Sequence, residues 1–173
     1  MKPSKIISLS AVTTALAVIF LAVGAYVDVM DLSCLFMSSL MIMLPLSKKS
    51  VKSALFSYGA TAILTLLLTM STGKFAIAIL FTFFFGLHPI INYLEKEKNW
   101  NRILLLVIKD VWFIVTCLIM YDVFNLFTDL PPFIENYAIY VIIIGGAIIF
   151  IAYDVIMKRF QTFTDALIVR LKL

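Results

Sequence analysis

Long apolar runs alternate with short charged stretches along the whole chain. Six charge-poor runs stand out: Ile6 to Val27, Leu32 to Ser47, Ser53 to Ser71, Phe75 to Leu94, Ile103 to Tyr121 and Tyr137 to Tyr153. A helix that crosses the hydrocarbon core of a bilayer needs about 20 apolar residues, so the pattern predicts six transmembrane helices. The second run is short and ends near Pro45, which suits little tilt or a partly re-entrant path. The fifth run is interrupted by Lys109 and Asp110. Beyond the sixth, Phe160, Phe163, Leu167 and Leu171 recur every three or four residues, with Asp165, Arg170 and Lys172 between them. Residues 158–173 therefore read as an amphipathic tail on the cytoplasmic interface, either a simple anchor or a partner contact.

Composition rules out the main alternatives. The chain has 173 residues, 63% of them hydrophobic and 14% charged. Soluble domains carry roughly 45–50% apolar and about 25% charged residues. A chain this small cannot hide the excess in one core, so a soluble enzyme and a disordered protein are both excluded. The expected fold class is an all-α membrane protein, one integral domain over residues 1–173. Lys2 and Lys5 precede the first run as in a secretory signal, but that run is longer than the usual signal core and Ala22-Val23-Gly24 matches a cleavage site weakly. It reads as a retained span.

Charge gives the orientation. With six spans, one side of the membrane holds twelve Lys and Arg residues: Lys2, Lys5, Lys48, Lys49, Lys52, Lys96, Lys98, Arg102, Lys158, Arg159, Arg170 and Lys172. The other side holds Lys74 alone, beside Asp28, Asp31, Asp122, Asp129 and Glu135. The positive-inside rule then places both termini in the cytoplasm. The net charge of +4 reflects this topology and not nucleic-acid binding.

Several features are candidates for function. In the first span Ser8, Ala11 and Ala15 share a face. Small residues at this spacing let another helix approach closely, within the bundle or on a partner protein. The third span repeats the pattern with Ser53, Ser57, Ala60 and Thr61. Gly145-Gly146-Ala147 in the sixth suits helix packing. Lys109 lies about 10 Å inside the fifth span at 1.5 Å per residue, a depth from which its ammonium can snorkel to the interface. Asp110 needs a partner, because intramembrane carboxylates usually face the bundle. His88 and Asn92 reach a similar depth on the fourth span. His88, Asn92 and Asp110 are thus expected to form a polar cluster, as a structural clamp or as a proton relay. On the outer side Phe124, Phe127, Phe133 and Tyr137 either cover a pocket or belong to the interfacial aromatic belt.

Other chemistry is absent from the sequence. There is no P-loop, no HExxH and no GxSxG. The single histidine precludes a multi-His metal site. Cys34 and Cys117 sit inside apolar runs without ligand-like spacing, so they read as buried small side chains. No enzyme, metal or cofactor is expected.

The opening stretch from Lys5 to Ala17 contains Ala11-xxx-Ala15. Ser57-Tyr58-Gly59-Ala60 enters a Leu-rich third span, and Phe84 to Pro89 reads Phe-Phe-Gly-Leu-His-Pro. With six short spans and both termini inside, this set resembles the S component, the substrate-binding subunit, of energy-coupling factor (ECF) transporters. The resemblance implies a bundle that captures a vitamin or related micronutrient at its outer face. It implies docking through Ala11 and Ala15 onto a membrane coupling subunit that is driven by two cytoplasmic ATPase subunits. It implies a bacterial plasma-membrane location and a substrate pocket in the outer half, where Asp31, Lys74, Trp112, Asn125, Asp129 and Asn136 are the candidates. Two other readings remain open: a non-transporting membrane scaffold resembling MreD, or a lipid-handling membrane protein.

Overall fold

The structure is a computed structural model that describes residues 3–70, 73–124 and 137–170. Among them there are helices and no strands. Helix α1 spans Pro3–Tyr26 and leads through a 3-10 turn at Asp28–Met30 into α2, Asp31–Ser47. Helix α3 spans Val51–Met70. The next apolar segment is composite: α4 at Ala76–Leu80, a π-helical stretch at Phe81–Phe85, and α5 at His88–Glu97. Helix α6 spans Arg102–Phe124 and α7 spans Ala138–Arg170.

Five of these segments are long and apolar enough to cross a membrane: those within Ile6–Tyr26, Val51–Met70, Ala76–Glu97, Arg102–Val123 and Ala138–Ala166. The sixth expected span, α2, is an apolar helix of 17 residues and falls below that length. It is also the helix most surrounded by others, touching α1, α3, α4, α5 and α7. Its buried residues Leu35, Ser38, Ser39, Ile42 and Leu46 recur every three or four positions. A helix so enclosed takes its environment from protein and does not have to match bilayer thickness. At the α1–α2 crossing, Gly24 allows the close approach: a Cβ there would stand 2.8 Å from the Cβ of Cys34.

The amphipathic tail is not a separate element. Helix α7 runs without a break through residue 158, for 33 residues. At about 1.5 Å per residue that is roughly 50 Å, well beyond a hydrocarbon core of about 30 Å. No Gly or Pro occurs between Ala147 and Arg170 to stop the helix.

The π stretch has an identifiable chemistry. A wider turn pairs the Gly86 N–H with the Phe81 carbonyl at 2.8 Å, while Leu87 N–H takes Phe84 at 3.2 Å. The carbonyls of Thr82 and Phe83 thereby lose their ordinary donors four residues on. Phe85 loses its donor because residue 89 is proline. Side chains from three other helices replace all three: Tyr58 Oη donates to Thr82 at 2.7 Å, Trp112 Nε1 to Phe83 at 2.7 Å and Ser39 Oγ to Phe85 at 2.8 Å. Gly86 lets this region close, since a Cβ there would lie 2.6 Å from Tyr58 and 2.8 Å from Phe81. In lipid every backbone group needs such a partner. Ser39→Ala should therefore destabilise the protein by about 1–3 kcal/mol, read as a lower melting temperature in detergent, whereas Ser38→Ala, which loses only a bond within its own helix, should cost less.

Candidate functional site

Six polar side chains meet where α5, α6 and α7 pack together. Helix α5 supplies His88, Asn92 and Glu95, spaced so that they share one face. Helix α6 supplies Lys109, and α7 supplies Asp154 and Lys158, one turn apart. All but Lys158 are at least nine-tenths buried. The Lys109 ammonium donates to Asn92 Oδ1 at 2.7 Å, Glu95 Oε2 at 3.0 Å and Asp154 Oδ1 at 2.7 Å. That uses its three N–H groups. Lys158 reaches Glu95 Oε1 at 2.8 Å and Asp154 Oδ2 at 3.0 Å. Two ammonium groups and two carboxylates thus alternate in a closed ring with no net charge. His88 Nε2 donates to Asp154 Oδ1 at 3.0 Å, and its Nδ1 faces Asn92 Nδ2 at 3.4 Å. This is the pattern of a neutral imidazole.

Lys109 does not snorkel to the interface: it is 3% exposed and tied at all three hydrogens. The expected trio of His88, Asn92 and Asp110 is corrected in its third member. Asp154 receives the histidine. Asp110, next to Lys109 and so about 100° round the helix, is half-buried and its Oδ1 has no hydrogen-bond partner among the described residues. The sequence reading missed Glu95 and Asp154 because each lies just past a span boundary, and Lys158 because it was assigned to the cytoplasmic tail. The usable signal was an intramembrane lysine that needs carboxylates at its own depth on neighbouring helices, and Glu95 and Asp154 are the charges that immediately follow Leu94 and Tyr153.

The ring holds no nucleophile in an activating environment, and no group of three metal-ligating side chains occurs among the described residues. The geometry joins three helices through a desolvated, charge-balanced network. Such a network is costly to break one partner at a time.

Three of the six proposed outer-site residues fall among the described ones. Asp31 begins α2 and Lys74 is exposed in the α3–α4 turn. Trp112 is half-exposed and its Nε1 donates to the Phe83 carbonyl at 2.7 Å. Asn125, Asp129 and Asn136, together with Phe127 and Phe133, lie outside the described residues. A cavity of about 280 Å³ does occur near where α6 ends and α7 begins, lined by Leu32, Phe85, Phe113, Met120, Gly145 and Ile149. Gly145, expected to pack against a helix, instead borders this space: a Cβ there would meet nothing within 4 Å.

The small-residue stripes resolve into two faces. Ser57 and Thr61 are buried, and Ser57 Oγ donates to the Ser10 carbonyl at 3.3 Å, which joins α3 to α1. Ala11 and Ala15 are exposed. With Ser53, Phe56 and Ala60 they line an apolar groove of about 700 Å³ between α1 and α3. No family model, curated protein or solved structure matches the chain.

Proposed function

We propose that the chain is the substrate-capture subunit of an ATP-driven uptake transporter of the energy-coupling factor type. On this reading it has six spans with both termini in the cytoplasm, and it docks on a membrane coupling subunit that carries two ATPase subunits. The observation that carries the reading is the groove between α1 and α3. The two alanines line it from the outside of the bundle, and its small side chains leave room for a helix to approach closely. The apolar cavity beside Gly145 supplies a place for cargo at the opposite end. Its lining selects a small molecule with an apolar body.

The test is native mass spectrometry of the protein purified alone and after co-expression with a coupling subunit and its ATPases. The reading expects one small molecule per chain and a stoichiometric complex. An empty chain that associates with a membrane protein but with no ATPase would replace it with the scaffold reading. Gly145→Leu sharpens the cargo half. The added side chain enters open space, so the fold survives, while overfilling the cavity should weaken ligand retention by about 10- to 100-fold. Unchanged ligand occupancy in that variant would place the cargo elsewhere.

A further inference from the structure

Where α5 turns into α6, two cavities share Trp100 as a wall. The turn itself is fixed. Asn99 adopts a left-handed conformation at φ 50°, Trp100 N–H returns to the Glu95 carbonyl at 3.2 Å, and Asn101 Oδ1 caps α6 by accepting from Ile103 N–H at 3.1 Å. One cavity, of about 400 Å³, is polar and is faced by Lys96, Arg102, Lys158 and Gln161. The other, of about 300 Å³, is apolar and runs between α5 and α6 past Leu87, Ile91, Leu105, Ile108 and Trp112.

Two observations make the polar cavity a built site. Gln161 is 4% exposed, yet its buried Nε2 donor has no acceptor among the described residues. Buried donors are nearly always paired, so this one calls for an acceptor that the described residues do not supply. The charges lining the cavity also do not cancel. Glu95 is its one carboxylate, and both of its oxygens are already taken, by Lys109 at 3.0 Å and Lys158 at 2.8 Å. Lys96 is 3.2 Å from Asp165, and Arg102 stands exposed at the start of α6. The missing occupant is an anion rich in acceptor oxygens. The adjoining apolar cavity says what that anion is attached to.

We propose that the paired cavities bind one anionic phospholipid, its phosphate between Arg102, Lys96 and Gln161 and an acyl chain along the α5–α6 groove, with Trp100 at the junction. A soluble phosphate would leave the apolar half unused, whereas basic sites at the cytoplasmic ends of membrane helices take lipid headgroups. The assignment is independent of the transport reading, since it needs neither cargo nor a coupling subunit.

The chain contains only two tryptophans, and both line the apolar cavity. Their fluorescence therefore reports occupancy directly. The full-length protein in zwitterionic nanodiscs is titrated with phosphatidylglycerol brominated on its acyl chains, and separately with phosphatidylcholine carrying the same chains. Phosphatidylglycerol should quench at a lower mole fraction. Arg102→Gln and Lys96→Gln, both at exposed positions, should each reduce that preference by about fivefold. Gln161→Leu should weaken quenching by both lipids, since the phosphate is common to them. Equal quenching by the two lipids that Arg102→Gln leaves unchanged overturns the proposal. So does reversal of phosphatidylglycerol quenching by millimolar inorganic phosphate, which would assign the cavity to a soluble anion.

Discussion

Lys109→Met should abolish recovery of folded, monodisperse protein. The change keeps an unbranched stem one atom shorter and removes the charge. Glu95 and Asp154 are then left with Lys158 alone, so one buried carboxylate has no counter-charge, and Asn92 Oδ1 loses its donor at 2.7 Å. Removing one partner of a buried ion pair costs about 3–5 kcal/mol, a large part of the roughly 5–15 kcal/mol that holds a domain together. The closed ring makes a second outcome specific. Asp154→Asn in the Lys109→Met background restores neutrality, because Lys158 and Glu95 still pair at 2.8 Å. The double variant should regain a monodisperse peak on size-exclusion in detergent, with a melting temperature between the single variant and the parent. A Lys109→Met protein that elutes and melts like the parent would mean that the ring contributes nothing. A double variant no better than the single one would mean that the lysine acts through packing and not through charge balance.

The same ring marks where sequence reasoning stops. Hydropathy located the five long apolar segments among the described residues, because apolar length is a property of one segment at a time. The proposed ends at Leu94 and Tyr153 then separated Glu95 and Asp154 from the membrane, although the helices carry both residues inward and bury them. A depth rule treats a charge near a span end as solvated. Packing overrides that rule when three helices bring charges of both signs to one level. Lys109 was visible as an expense, and its partners were not, since they lie on other helices and only the fold decides which ones meet. The π stretch was hidden for a related reason. Pro89 announces one missing N–H, at the Phe85 carbonyl, but nothing local announces the wider turn that frees Thr82 and Phe83, and the compensating donors Ser39, Tyr58 and Trp112 all come from other helices. The stripe on α1 was legible as a stripe. Its direction was not: only the packing of α1 on its neighbouring helices α2 and α3 determines that Ser10 and Ala17 turn inward while Ala11 and Ala15 face out.

That outward direction makes Ala11→Trp and Ala15→Trp clean probes of assembly. Both positions lie on the exposed side of α1, so an indole there does not have to enter the bundle. It fills the groove instead, which these alanines line together with Ser53, Phe56 and Ala60. Close helix packing in a membrane depends on small side chains and gives little tolerance to added volume. Each variant should therefore express and melt like the parent, keep its bound small molecule, and lose recovery with the coupling subunit by at least about tenfold, the effect of roughly 1.4 kcal/mol. Ala17→Trp supplies the contrast. Ala17 is fully buried within the bundle, so that change should damage the fold and assembly together. Leu16→Trp, at an exposed position outside the groove lining, should leave both intact. Equal complex yield from the parent, Ala11→Trp and Ala15→Trp would remove α1 as the docking surface. Loss of complex in Leu16→Trp as well would mean that any indole on α1 interferes, and the groove would no longer be singled out. Separation of assembly from stability at Ala11 and Ala15 alone is the result that ties the small-residue face to a partner helix.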